Sequence, residues 1–185
     1  IQIINGDIRD KNLLEDIFSE AKFKKDNFLG VIHFAGLKAV EQSIKYPLDY
    51  WDNNVNGSIN LLKIMDKYNC KTIVFSSSAT VYDKTNNNSN LDENSKLQPY
   101  NPYGETKLAI EKILSDIFKS SSKWRIANLR YFNPIGAHSS GLIGENPSGI
   151  PNNIFPIITQ VALKKIKYLK VYGNDWDTYD GTGVR

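Results

Sequence analysis

Lys71-Thr72-Ile73-Val74-Phe75-Ser76-Ser77-Ser78, followed after a polar interval by Asn101-Pro102-Tyr103-Gly104-Glu105-Thr106-Lys107, decides how this chain folds. The first stretch is a short apolar run halted by three hydroxyl residues, as expected of a buried strand that ends at a turn. The second sets a capping Asn and a Pro at the first helical position ahead of an apolar stripe, so a helix begins there. The same alternation continues on both sides. Ile1–Ile4 reads as a short strand ending at Asn5-Gly6-Asp7. Leu13, Leu14, Ile17 and Phe18 have helical spacing after the polar start Asp10-Lys11-Asn12. Val31–Ala35 is a buried strand closed by Gly36, and Tyr46-Pro47 opens a long helical run through Val55, Ile59, Leu62 and Met65. Arg125–Arg130 reads as a strand, Asn153–Ile166 as a helix and Leu169–Tyr172 as a last strand. Residues 83–101 form a polar loop long enough to rim a site.

Strands alternating with helices predict an α/β fold, a doubly wound and mostly parallel sheet. Ligands of such sheets bind at the carboxyl ends of the strands. Asp7, Phe34-Ala35-Gly36, Ser76-Ser77-Ser78 and Tyr131-Phe132-Asn133 all fall at strand ends, which makes them candidates for one crevice. No internal repeat and no linker interrupts the pattern.

The 185 residues are 41% hydrophobic and 23% charged, an ordinary globular composition with chain enough for a sizeable core. A net charge of +3 with interspersed Lys and Glu describes a solvated mixed surface and points away from nucleic acid. The single Cys70 excludes an internal disulfide framework and suits a reducing, cytoplasmic setting. No run approaches the roughly 20 apolar residues of a membrane span, and no signal peptide is evident. His33 and His138 read as hydrogen-bonded structural residues, and no Cys/His spacing suggests a metal.

Tyr103 and Lys107 lie four apart on one helix, with side chains about 5–6 Å apart. They extend the stripe Ile110, Leu114 and Ile117, so both face inward, where a charged Lys is costly unless it meets a polar partner. Spacing alone fits a Tyr at the core edge with a Lys snorkelling past it, and fits that better than a reactive pair. The reactive pair is physically plausible. A cation about 6 Å from a phenolate at an effective dielectric of about 20 is worth roughly 2.8 kcal/mol, which predicts a Tyr pKa lowered by about two units. That would give a general base usable near neutral pH. Three hydroxyls after a strand are most often turn chemistry; here they end a central strand beside the helix start.

Taken in order, a series of segments carries a resemblance: Gly6-Asp7-Ile8-Arg9, His33–Val40, Asn53–Gly57, Phe75–Tyr82, Pro102–Lys107, Leu129–Pro134, Gly149–Asn153 and Asp180–Arg185. Together they resemble the UDP-glucose 4-epimerases, a family of extended short-chain dehydrogenases/reductases, over essentially the whole chain. Tyr-x-x-x-Lys marks only the superfamily; Phe34–Lys38 and Ser77–Tyr82 point to the epimerases. The resemblance implies a Rossmann-type fold, incomplete at both ends. Residues 1–135 would be a partial NAD-binding domain and 136–185 the start of a smaller UDP-sugar-binding region.

It further implies interconversion of UDP-glucose and UDP-galactose, a step of galactose metabolism, with tightly held NAD and a 4-keto intermediate. Tyr103 would be the base, Lys107 would hold the nicotinamide ribose and depress the Tyr103 pKa, and Ser78 would hydrogen-bond the sugar O4. Asp7 and Ile8 would flank the adenine. Phe34, Ala35, Gly36, Leu37 and Lys38 would line the dinucleotide, with Asn53, Ser78, Tyr103, Lys107 and Phe132 also at the cofactor. Ser78, Tyr103, Asn133, Asn153, Lys170, Val171, Tyr172 and Arg185 would hold the UDP-sugar. The family dimerises through two helices, here the runs Asn54–Met65 and Tyr103–Phe118. No metal, membrane or nucleic-acid partner is implied. Bland readings stand beside these: Asn53 as a turn cap, Phe132 as core, Arg185 as a chain end.

The family's opening strand, Gly-rich turn and helix, whose N-terminus takes the pyrophosphate, has no counterpart in the sequence. In the doubly wound order Ile1–Ile4 would be the third strand and Val31–Ala35 the fourth, leaving the two between them absent. The expectation is therefore a piece of a longer polypeptide that is inactive alone. Glu41 and Asp83 stand where the family commonly has Gly. Two alternatives remain open: a related nucleotide-sugar epimerase or dehydratase, although no acid stands at Ser78-Ala79-Thr80 as dehydratases require, and an inert remnant retaining part of the sugar site.

Overall fold

β1 (Val31–His33), β2 (Thr72–Ser78) and β3 (Arg125–Tyr131) lie side by side in that order and all run parallel in the computed structural model. The structure describes residues 2–83, 90–145, 147, 149, 151 and 153–183. Ile73 pairs with Val31 on one side and Ile126 on the other; Ser78 pairs with Tyr131. Parallel neighbours need crossovers, and helices supply them. Between β1 and β2 run α2 (Val40–Lys45), α3 (Pro47–Tyr50), a π-helical stretch Trp51–Asn56 and α4 (Gly57–Lys67); between β2 and β3 come a 3-10 turn Ala79–Val81 and α5 (Pro102–Ser120); α1 (Lys11–Phe23) precedes β1. α6 (Ile154–Ala162) follows later in the chain. The chain divides into two compact units, Ile1–Phe132 and Asn133–Arg185.

The expected parallel α/β architecture is present, and its caps follow the sequence signals. Asp10 accepts from the backbone N–H of Asn12 and Leu13 to start α1. Asn101 accepts from Gly104 N at 2.8 Å to start α5, with Pro102 at its first position. The run opened by Tyr46-Pro47 is helical through Lys67, with a π-helical middle that the periodicity did not disclose. One core joins these elements: Phe18, Leu61, Met65, Ile73, Phe75, Ile110, Leu114 and Trp124 pack together between the sheet and α1, α4 and α5. Phe75, Met65 and Leu114 are wholly excluded from solvent.

Four expectations need correction. Residues 2–4 form no strand, and Ile3 is 85% exposed, because a strand exists only through ladder bonds to a neighbour and none of the described residues pairs there. Leu169–Tyr172 is irregular for the same reason. β1 stops at His33, two residues short of Ala35, where the ladder to β2 ends at the His33–Phe75 pair. α6 ends at Ala162, since Lys164 adopts φ 58° and the N–H groups of Lys165 and Ile166 fold back onto Gln160 O. α2 had no counterpart among the sequence expectations. Glu41 sits in its first turn, where a carboxylate suits the helix dipole. No helix among the described residues is long and apolar enough to cross a membrane, and they hold no cluster of metal-ligating side chains.

Candidate active site at the carboxyl ends of the strands

Tyr103, Lys107 and Glu111 step along one face of α5 at four-residue intervals, and each meets one of the three serines that close β2. The Ser78 side chain stands by the Tyr103 phenol and favours its charged form. Lys107 Nζ donates to Ser76 O at 2.8 Å, and Ser77 Oγ donates to Glu111 Oε1 at 2.5 Å. All three helix residues are buried. The helix can come this close because Gly104 has no side chain: a Cβ there would stand 2.8 Å from Thr80 O and 2.9 Å from Pro99 Cβ. Ser78 Oγ accepts from Thr80 N and Thr80 Oγ1 at 3.2 and 3.0 Å, which fixes the hydroxyl at the start of the 3-10 turn.

The strand end at 34–38 is tied to the same helix by one side chain. Asn54, buried in the π-helical stretch, accepts from Leu37 N at 2.8 Å and donates to Leu37 O at 3.0 Å and to Thr106 Oγ1 at 3.1 Å. Thr106 Oγ1 in turn donates to Tyr103 O at 2.7 Å. A π-helical insertion rotates side chains out of α-helical phase and is often found at functional positions; here it turns Asn54 inward while Asn53 stays half-exposed. His33 Nε2 meets Ser58 Oγ at 2.8 Å, and Ser58 Oγ donates to Asn54 O. His33 is therefore the hydrogen-bonded structural residue expected.

Electrostatics correct one expectation. The Tyr103 phenol is raised above its ordinary pKa, not lowered: burial disfavours the phenolate by more than the neighbouring Ser78 side chain favours it. Burial also draws Lys107 down to about 8, so its ammonium persists at neutral pH while committed to Ser76 O. Its nitrogen lies 4.8 Å from the centre of the Phe75 ring and 5.8 Å from that of Tyr103. His33 is depressed to about 4, first by burial and then by the Lys107 charge.

The surface beside this trio suits a flat, partly apolar ligand such as a dinucleotide. Gly36 adopts φ +157°, and a Cβ on it would lie 3.1 Å from Asn54 Oδ1 and 3.7 Å from Lys107 Nζ, so a side chain would fill the approach to the amine. Phe34 is 63% exposed with its ring 6.4 Å from that of Tyr131, and Ala35, Leu37 and Lys38 are also open. Phe132 stacks near Tyr82 and remains half exposed. Asp7 is held by Arg9 at 2.7 Å, and Arg9 also pairs with Asp52 at 2.8 Å. This arrangement holds the Asp7 carboxyl down near 2 and leaves Ile8 packed toward Gly57. The residues present fit a cofactor of that shape.

Of the remaining expected residues, Asn133, Asn153, Lys170, Val171 and Tyr172 belong to the second unit. Asn153 precedes α6 without capping it by its side chain, and Asn133, Lys170, Val171 and Tyr172 are exposed. Arg185 lies outside the described residues. Sequence reasoning passed over Asn54, Thr106, Glu111 and Arg130. Glu111 was legible as the next four-residue step after Lys107. Asn54 carried no signal beyond its neighbour Asn53, because the π-helical phase change sets which of the two points inward.

The whole of residues 1–185 matches the model of the NAD dependent epimerase/dehydratase family. UDP-glucose 4-epimerase 2 of Oryza sativa subsp. japonica is 52% identical over 179 residues, covering 97% of this chain and 42% of the rice protein. UDP-glucose 4-epimerase of Pisum sativum is 53% identical over 180 residues, again 97% of this chain and 50% of the pea protein. Among solved structures, UDP-glucose 4-epimerase from Bifidobacterium longum in complex with NAD+ and UDP superposes with a TM-score of 0.84 at 48% identity, covering 97% of this chain and 52% of that one. The enzyme from Stenotrophomonas maltophila, with bound NAD and formylated UDP-arabinopyranose, gives 0.85 at 43% identity, covering 97% and 52%. The chain thus spans about half the length of the curated relatives it matches. With its parallel sheet, its strand-end trio and this match over every residue, the chain belongs to the NAD dependent epimerase/dehydratase family.

Proposed function

We propose that this chain carries the proton-transfer half of a UDP-glucose 4-epimerase, acting on UDP-glucose and UDP-galactose. The observation that carries the reading is the gathering of Tyr103, Ser78 and Lys107 at the carboxyl end of β2, with the Lys107 nitrogen 5.8 Å from the centre of the Tyr103 ring. Tyr103 takes the proton from the sugar 4-hydroxyl and later returns it. Ser78, fixed by Thr80, hydrogen-bonds the sugar oxygen and keeps it within reach of the phenol. Lys107 supplies positive charge beneath the phenol and a donor toward the approach left open by Gly36. Bound NAD would accept and return the hydride at carbon 4. Asp7 and Ile8 would flank its adenine, while Phe34–Lys38, Asn53 and Phe132 would line its length. A base whose pKa stays raised by burial even with Lys107 beside it needs further positive charge before it works near neutral pH, which a bound cationic cofactor would supply.

Within the second unit, Asn133, Asn153, Lys170, Val171, Tyr172 and Arg185 would hold the UDP-sugar. In this proposal residues 1–135 serve the dinucleotide and 136–185 the sugar nucleotide. The protein would act in the cytoplasm as a homodimer. A groove of about 400 Å³ between α4 and α5, lined by Ile59, Leu62, Ile113, Ile117 and Trp124, supports the dimer reading. The test is Tyr103→Phe in the whole protein, assayed for UDP-galactose conversion and for UDP binding. Turnover should nearly vanish while UDP affinity stays close to the parent's; retained turnover would remove Tyr103 from the role of base.

A further inference from the structure

Glu111 and Arg130 form the one ion pair among the described residues in which both side chains are largely shut off from water, at 6% and 17% exposure. Arg130 NH2 donates to Glu111 Oε2 at 2.8 Å and Nε donates to Oε1 at 3.1 Å, a two-pronged contact. The other carboxylate face is not idle: Oε1 also accepts from Ser77 Oγ at 2.5 Å. The remaining guanidinium nitrogen, NH1, donates to Tyr82 Oη at 3.3 Å and to Glu93 O at 3.1 Å. Five pieces of chain meet here: β2, β3, α5, the end of the 3-10 turn, and the rim segment that includes Glu93.

We propose that Glu111 and Arg130 are positioning residues that set how Ser78 faces Tyr103 and that register the rim segment 91–97 against both. The inference rests on the reading of Tyr103 as the base. Its logic is geometric. α5 lies on the sheet mainly through Ile110 and Leu114, and apolar contacts resist separation better than they resist a small slide. Directional bonds to a planar guanidinium do resist a slide. Glu111 is eight residues from Tyr103, about 12 Å along the helix axis. Ser77, which it holds, is next to Ser78, the residue that stands by the Tyr103 phenol. Arg130 stands directly opposite Ser77 in the ladder, so the third corner of the anchor belongs to the neighbouring strand.

Stability does not require such a pair. Desolvating two charges commonly offsets their attraction, and a well-packed apolar pair of similar volume is often as stable. What apolar residues would not reproduce is the angular constraint and the reach of NH1 to the rim. Segment 91–97 is held at its other end by the Tyr82–Leu97 bridge, by Asp83 N donating to Lys96 O at 3.0 Å, and by Lys96 Nζ donating to Asp83 Oδ2 at 3.0 Å. Arg130 therefore fastens the middle of a loop whose root is already fixed. Because its acceptor is the Glu93 carbonyl, the side chain at 93 is free to differ.

The test uses the whole protein with its cofactor bound and compares E111L/R130M, R130K, S77A and Tyr103→Phe. E111L/R130M should melt near the parent and bind UDP as the parent does, while kcat falls by about 30-fold or more, the scale expected when reacting groups are displaced by a fraction of an ångström. R130K, which keeps the charge and one bond to Glu111, should recover part of that loss. A folded E111L/R130M at parental kcat, with Tyr103→Phe inactive, overturns the inference and leaves the base assignment standing. Active Tyr103→Phe instead overturns the base assignment on which it rests. Should E111L/R130M fail to fold, S77A decides. It removes one hydroxyl next to Ser78 and should lower kcat about tenfold with KM unchanged; parental kcat in S77A overturns the proposal.

Discussion

Asn54 clasps the backbone of Leu37 from both sides: its Oδ1 accepts the Leu37 N–H at 2.8 Å and its Nδ2 donates to the Leu37 carbonyl at 3.0 Å. Through the same Nδ2 it reaches Thr106 on α5. One buried amide thus holds the loop expected to line a dinucleotide at a set distance from the helix that carries Tyr103. Asn54→Ala should cost about 2–4 kcal/mol, since three bonds are lost and Leu37 and Thr106 keep polar groups without their partner. Asn54→Asp, nearly identical in shape, should also destabilise, because a carboxylate cannot donate to the Leu37 carbonyl. Chemical denaturation of the whole protein measures both; a parental midpoint for Asn54→Asp would show the clasp to be dispensable.

Tyr103 should ionise above its ordinary value of 10 in protein freed of nucleotide, because burial outweighs the influence of the Ser78 side chain. The phenolate absorbance step that separates the parent from Tyr103→Phe reports this residue alone. Its appearance below 10 without ligand would mean that Lys107 by itself activates the phenol.

His33 makes folding acid-sensitive in a defined window. Its folded pKa is about 4 against 6.5 for the free group, so between those values the unfolded chain binds the extra proton and stability falls as the pH is lowered. The contribution is complete above about 6.5 and lost on descent toward 4, on the order of 3 kcal/mol in all. His33→Asn, which cannot titrate there, should flatten the dependence of the denaturation midpoint between pH 6.5 and 4. An unchanged slope would place the proton elsewhere.

Gly104→Ala should impair the start of α5 even though alanine favours helices. The added methyl would stand 2.8 Å from Thr80 O and 2.9 Å from Pro99 Cβ, so helix and turn must part. A loss of about 1–3 kcal/mol is expected from overpacking of this kind. Because the displaced turn begins at Ser78, turnover should fall further than stability accounts for. Melting and kcat measured on the same preparation separate the two effects.

The fold was legible wherever a single periodicity governed a segment. The Asp10 and Asn101 caps, the apolar run 72–75 and the stripe Ile110–Leu114 each specify an element through contacts within it or with one neighbouring layer. Ile1–Ile4 and Leu169–Tyr172 were misread because apolar alternation says that a segment can pair, not that a partner is beside it. In the site, Tyr103, Lys107 and Ser78 were legible from spacing and strand ends. The sign of the Tyr103 shift was not, because it depends on how much water the surrounding elements exclude.

The sequence by itself determined the parallel α/β class, the helix starts, and the placing of a Tyr–Lys pair near a run of serines. Those follow from local periodicity and caps, which nearest neighbours along the chain enforce. Tertiary structure decided that Asn54 rather than Asn53 turns inward. It also decided that Glu111 and Arg130 join two strands and a helix next to Tyr103, Lys107 and Ser78, and that burial holds the phenol protonated. Each of these arises where residues tens of positions apart exclude water together, and no local pattern records that.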